Sequence, residues 1–149
     1  MVPRKSVGAV IFRSEGERGE RLYLLLHYGA GHWDFVKGGV EPGEEDEQTL
    51  ERECREETGI TALRVVPGFY TDIEYFFKEE GNLVKKTVIF FIAETGQRDV
   101  KLSDEHDDFA WLPFSGALEK LTYKNAKTVL EKADAFLNSM PKEPQHKLE

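Results

Sequence analysis

A glycine-laden run that leads straight into a crowded acidic helix sets the tightest limit on how this chain can fold. The run is "YGAGHWDFVKGGVEPGEE", where Gly29, Gly31, Gly38, Gly39, Pro42 and Gly43 point to a long, shaped loop. Long loops inside compact domains are usually functional. The next stretch, roughly Glu45 to Thr58, reads as a helix with Gly59 as its C-terminal stop. Its apolar content is thin, and Leu50 and Cys54, one turn apart, mark the side that turns inward. Within "RECREETG", Glu53, Glu56 and Glu57 stand at i, i+3 and i+4 and rise from neighbouring points on one face. Like charges at that spacing weaken a helix by roughly a few tenths of a kcal/mol per pair. A merely solvated acidic face would oppose the apolar stripe, but Glu53 and Glu57 border it, where unpaired charge is costlier. A hard divalent cation such as Mg2+ removes the repulsion, because it takes oxygen ligands from carboxylates, waters and substrate phosphates.

The rest of the chain supplies a scaffold for that segment. "SVGAVIF" (Ser6 to Phe12) and "RLYLLLH" (Arg21 to His27) are almost continuously apolar, as strands buried on two faces are, and "RSEGERGE" between them is a charged turn. "RVVPGFYTDIEYFF" is a strand region broken at Pro67-Gly68. "KKTVIFFIAET" places Val88, Phe90 and Ile92 on one strand face, and "DDFAWLPF" is a short strand ending at Pro113. From Asn125 to Met140 the apolar residues Ala126, Val129, Leu130, Ala133, Phe136, Leu137 and Met140 keep the helical period. Strands with two helices far apart in sequence predict an α/β fold, a mixed β-sheet sandwiched between α-helices.

The 149 residues suit one domain, expected over 1–140, with 141–149 a polar tail that is disordered or in part vector-derived. A net charge of −8 disfavours broad binding to DNA, RNA or an anionic membrane, yet permits a small phosphorylated ligand in a locally basic cleft. No apolar run approaches the roughly 18 residues of a membrane span, and "MVPRKSVGAVIF" lacks a signal-peptide cleavage pattern. Cys54 is the only cysteine, which excludes a disulfide framework and a cysteine zinc site and fits a reducing, cytoplasmic setting.

From Gly38 to Ile60 the chain reads "GGVEPGEEDEQTLERECREETGI" and resembles the Nudix box, G-x5-E-x7-R-E-U-x-E-E-x-G-U. Gly38, Glu44, Arg52, Glu53, Glu56, Glu57, Gly59 and Ile60 are in register, and Cys54 stands at the first hydrophobic position. The resemblance implies a Nudix hydrolase that holds Mg2+ or Mn2+ against a pyrophosphate. Carried onto this sequence, Glu53 and Glu57 are the principal metal ligands, and Glu56 is a further ligand or the group that activates water. The carbonyl of Gly38 completes the site, Glu44 supports the loop or binds a second metal weakly, and Arg52 orients Glu56. "HWDFVKGGVEPGE", "GFYTDIEYFF", "KKTVIFFIAE", "LSDEHDDFAWL" and "LTYKNAKTVLEKADAFL" resemble, in order and spacing, the asymmetrical diadenosine tetraphosphate hydrolases, with Val36 and Gly39 as departures. That likeness implies a dinucleoside polyphosphate substrate and ATP and AMP as products. It makes Glu105 an extra carboxylate near the metals, sets Lys37 and Lys86 on phosphates, has His32 bond a phosphate or help place the loop, and makes Tyr75 and Tyr123 an adenine sandwich. Trp33 is assigned to packing. For Tyr75 the alternative is core, since Ile73, Tyr75 and Phe77 share a strand face. The competing functions are another Nudix reaction (on 5′-triphosphorylated RNA, a nucleotide sugar or a damaged nucleoside triphosphate) or a sensor that binds nucleotide without turnover.

Overall fold

The computed structural model describes residues 1–140; the expected tail, 141–149, lies outside the described residues. The two apolar runs form β1 (Val2–Glu15) and β2 (Glu20–Tyr28), an antiparallel hairpin whose register joins Phe12 to Tyr23 and Glu15 to Glu20. Beyond Phe12–Tyr23 the two strands diverge, and each would leave a row of unpaired backbone groups. Two short strands fill the split. β3 (His32–Asp34) pairs with Leu26 to Tyr28 of β2, and β4 (Val36–Gly39) pairs with Ser6 to Ala9 of β1. The expected long loop is therefore in large part strand. Its glycines suggested irregular backbone, but the open edges of two distant strands decide the matter.

The sheet continues through β5 (Leu63–Val65), β6 (Thr71–Glu79), β7 (Asn82–Thr95) and β8 (His106–Leu112). β7 runs parallel to β1 and carries β6 and β5 antiparallel on its other side, while β8 lies antiparallel against β2. The result is the mixed sheet expected, with eight strands.

Among the described residues three helices cover it: α1 (Asp46–Thr58), α2 (Phe114–Lys120) and α3 (Lys124–Ser139). Alternation along β1 and β2 explains why both runs are apolar throughout. Val7, Ala9, Ile11, Leu24 and Leu26 share a core with Leu50 and Cys54 of α1, whereas Val10, Phe12, Tyr23 and Leu25 pack with Ala126, Val129, Leu130 and Ala133 of α3. Val88, Phe90 and Ile92 of β7 join the second core as expected, and Met140 lies exposed just past α3. The α2 helix is unanticipated. It opens on Pro113, holds Gly116 and buries Ala117, too short a span for a helical period to show.

Helix α1 starts and stops by local chemistry. The side chain of Gln48 accepts the Glu45 N–H at 2.8 Å, Asp46 and Glu47 face the positive end of the helix dipole, and Gly59 takes φ 72° and donates to the Arg55 carbonyl at 2.9 Å.

Gly8 of β1 and Phe90 of β7, neighbours across the parallel ladder, give a first prediction. A Cβ on Gly8 would overlap the ring of Phe90, with Cδ1 2.6 Å away, and Phe90 is only 1 % exposed and cannot move aside. Gly8→Ala is expected to destabilise the fold by about 1–3 kcal/mol, as overpacked cores do. The check is a urea titration, in which the midpoint falls and the slope is unchanged.

Candidate active site

Arg52 is the hub of the acidic helix. Its Nε and Nη2 donate to Glu44 at 2.6 and 3.1 Å, its Nη1 to Glu53 at 2.8 Å and to Glu56 at 3.1 Å, and its Nη2 also to the Gly39 carbonyl at 2.9 Å. Arg52 thus grips Glu44 above all and orients Glu53 as well as Glu56, a wider role than the single contact expected. Glu44 supports the loop, since it also accepts from the Glu41 N–H at 2.9 Å and the Thr49 hydroxyl at 2.8 Å. Arg52 first, then these donors, hold its pKa down to about 2.

The remaining carboxylates have no such comfort. Glu57 is buried, and its Oε1 has no hydrogen-bond partner. Burial first, then Glu53 and Glu105, push its pKa well above the ordinary carboxylate range. Glu53 is nearly buried, Glu56 is half-exposed and held by Arg52 alone, and Glu105 is exposed, its carbonyl accepting the Gly29 N–H at 3.0 Å. Among the described residues no three acid, histidine or cysteine side chains converge on one point, because Arg52 draws Glu53 and Glu56 to itself. The donor set nonetheless fits a divalent cation: the buried carboxylate of Glu57 lies beside that of Glu53, two like-charged oxygen donors that one cation would reconcile. Gly38 belongs to the same arrangement, because a Cβ there would collide with the carboxylate of Glu53.

Successive residues of β4 serve two sides of the sheet. Val36 is buried in the α1 core and Gly38 abuts Glu53, while Lys37 turns to a cavity on the α3 side. That cavity, about 800 Å3, is lined by His32, Lys37, Tyr75 and Tyr123 together with Asp34 and Asn125. Asp34 is buried and holds the Lys37 ammonium at 2.9 Å. Burial disfavours the lysine charge, and Asp34 outweighs it, so the Lys37 pKa ends raised. Tyr123 is 48 % exposed, at the start of α3. Tyr75 packs half-buried against the α3 core and also lines the cavity. Lys86, opposite Tyr75 on β7, is not part of the lining; its ammonium rests 5.9 Å from the centre of the Tyr75 ring. His32 stacks on Tyr28 at 4.7 Å and stands 5.3 Å from Tyr123. Trp33 packs against the core, as assigned, and carries Lys120 4.4 Å from its ring centre.

Three residues escaped the sequence. Asp34, three places before Lys37, carried a usable hint in that spacing. Tyr28, whose hydroxyl donates to the Phe35 carbonyl at 2.6 Å, lies between His32 and His106. His106 is buried near Glu57, its pKa lowered by burial, and nothing in the acidic stretch "SDEHDD" marked it.

A NUDIX domain family model matches residues 2–133. The asymmetrical bis(5′-nucleosyl)-tetraphosphatase of Sus scrofa is 38 % identical over 146 residues, covering 91 % of this chain and 97 % of that protein. The enzyme of the same description from Caenorhabditis elegans is 32 % identical over 134 residues, covering 89 % and 96 %. Among solved structures, a C. elegans Ap4A hydrolase in a binary complex superposes with a TM-score of 0.80 at 31 % identity, over 92 % of this chain and 99 % of that one. The box glutamates, the mixed sheet that their helix covers and these relatives all point the same way, and the chain belongs to the NUDIX family.

Proposed function

We propose that this Nudix hydrolase cleaves diadenosine tetraphosphate asymmetrically, releasing ATP and AMP, with Mg2+ or Mn2+ as its cation. The observation that carries the reading is the cavity of about 800 Å3 that sets Tyr75 and Tyr123 beside Lys37, one residue along β4 from Gly38 and the box glutamates. Two aromatic faces suit an adenine ring, and a lysine at the cavity wall suits the phosphates that follow it.

Glu53 and Glu57 would hold the cation, with the Gly38 carbonyl and Glu105 as further oxygen donors. When bound, the cation would neutralise phosphate oxygens and lower the pKa of the attacking water. Water adds to one phosphorus as the bridging P–O bond opposite it breaks, and the nucleotide leaves with that oxygen. Glu56, exposed and held by Arg52, is a further ligand or the group that takes the proton of the water. Lys37 has three donors and gives one to Asp34, which leaves two for phosphate oxygens. Lys86 and His32 extend that contact. Among the described residues no helix is long and apolar enough to cross a membrane. The catalytic unit is residues 1–140, and a cytoplasmic setting suits the single, buried thiol of Cys54.

The test is product analysis after incubation with diadenosine tetraphosphate and Mg2+. ATP plus AMP is the expected outcome. Two ADP molecules would overturn the asymmetric cleavage, and tight binding without turnover would make the protein a sensor. Tyr123→Ala, at an exposed position, is expected to raise KM by about tenfold with kcat little changed, within the roughly 1–3 kcal/mol that stacking supplies per base. An unchanged KM would take the adenine away from Tyr123.

A further inference from the structure

Behind the acidic face, two buried polar atoms confront each other without forming a hydrogen bond. They are Oε1 of Glu57 and Nε2 of His106, 3.4 Å apart. The His106 side chain is wholly buried, its ring fixed from two directions and its backbone held as well. Nδ1 lies 3.0 Å from the Ser103 hydroxyl, the ring meets Tyr28 edge-on at 4.3 Å, and the backbone N–H donates to the Ser103 carbonyl at 3.1 Å. A buried polar atom left without a partner costs about 1–3 kcal/mol, so the fold has two such penalties that one proton between the pair would remove.

We propose that His106 is a positioning residue, which donates its Nε2 proton to Oε1 of Glu57 and so fixes the carboxylate with its other oxygen toward the cation. The inference rests on the reading of Glu57 as a cation ligand. An ionised carboxylate only accepts, and a neutral imidazole has one donor and one acceptor nitrogen. With the proton on Nε2, both nitrogens are satisfied, since the Ser103 hydroxyl donates to Nδ1. With the proton on Nδ1, a lone pair would face the carboxylate and Glu57 would stay orphaned. Ser103 therefore selects the tautomer, and the tautomer sets the rotation of the Glu57 carboxylate. Partners of this kind behind a metal ligand typically govern 10–100-fold in metal affinity or rate, as an order of magnitude.

Two measurements decide it. In the intact Mg2+-loaded protein, long-range 1H–15N spectra should show His106 protonated at Nε2; protonation at Nδ1 alone would overturn the proposal without any variant. Titration with Mn2+ followed by electron paramagnetic resonance should then show affinity about tenfold or more weaker in His106→Asn, whose amide can reach Ser103 but not Glu57. His106→Gln, whose amide nitrogen stands where Nε2 does, should recover most of that loss, and kcat should follow the same order while KM stays near its parent value. A purely structural histidine would give equal Mn2+ affinity in both variants, and that outcome ends the proposal. Glu57→Gln serves as the control. Were it to bind Mn2+ normally, the ligand reading itself would fail; were it to lose Mn2+ while His106→Asn kept it, only the role of His106 would fall.

Discussion

Glu57→Gln is expected to lower kcat by about a hundred- to a thousandfold, and at the same time to make the metal-free protein more resistant to heat. The first effect is the scale of removing one preorganised electrostatic group from a reaction centre. The second follows from the burial of Glu57 beside Glu53 and Glu105, which raises its pKa in the folded state above the roughly 4.3 of an unfolded chain. Between those two values the unfolded chain has released this proton and the folded protein still holds it. Stability therefore falls as pH rises from about 4.3 upward, and the loss is complete only above the folded-state pKa. Glutamine keeps the shape and carries no such proton. In chelator, the melting temperature of the variant should exceed that of the parent, by a margin that widens toward alkaline pH, while added Mg2+ should stabilise the parent more than the variant. Near-normal turnover by both Glu57→Gln and Glu53→Gln would remove the site assignment. A variant that melts below the parent at alkaline pH in chelator would show that the buried carboxylate is not strained.

Much of this arrangement was legible because it is written in short-range spacing. The i, i+3, i+4 glutamates, Gly59 as the stop and the Leu50–Cys54 stripe are all local to α1, and the helix formed where they placed it. The continuous apolar runs of β1 and β2 were legible for a related reason: a strand covered on both faces has no polar alternation to hide it. Legibility failed where partners come from far along the chain. Nothing near His32–Asp34 or Val36–Gly39 announces a strand, since both exist only to complete edges that β1 and β2 leave open. Arg52 prefers Glu44, eight residues earlier, to the helical neighbour Glu56, because the loop folds back over the helix. Tyr75 could not be sorted into core or site from the pattern of β6, and the fold shows why: one side of its ring packs inward while the cavity opens on it. His106 is the extreme case, since its importance lies in an atom of α1 that sequence distance gives no reason to pair with it.

Gly38→Ala should remove nearly all turnover while leaving stability close to that of the parent. Gly38 is not among the glycines held at positive φ, and it pairs with Val7 in a regular ladder, so an alanine backbone fits there without strain. Alanine is, if anything, favoured over glycine in a strand interior by roughly 0.5–1 kcal/mol. The nearest atoms that the added methyl meets are those of the Glu53 carboxylate. That carboxylate is the end of a flexible side chain held by Arg52, so its displacement costs the fold about one ion pair, and on the proposed ligand set it would leave the cation without one of its two principal ligands. We expect kcat to fall by about a hundredfold or more, on the scale of a lost electrostatic group, with Mn2+ affinity falling in parallel. The neighbouring glycines act as controls for the same chemical change. Gly39→Ala meets nothing within 4 Å and should leave both activity and stability unchanged, while Gly8→Ala, across the ladder from Lys37, strikes the buried ring of Phe90 and should cost stability. Assays and urea titrations of the three variants side by side separate site from scaffold. Full activity in Gly38→Ala would mean that Glu53 can leave this position without consequence, and a collapse in its stability would mean that the packing of Glu53 against β4 holds the fold instead of the cation.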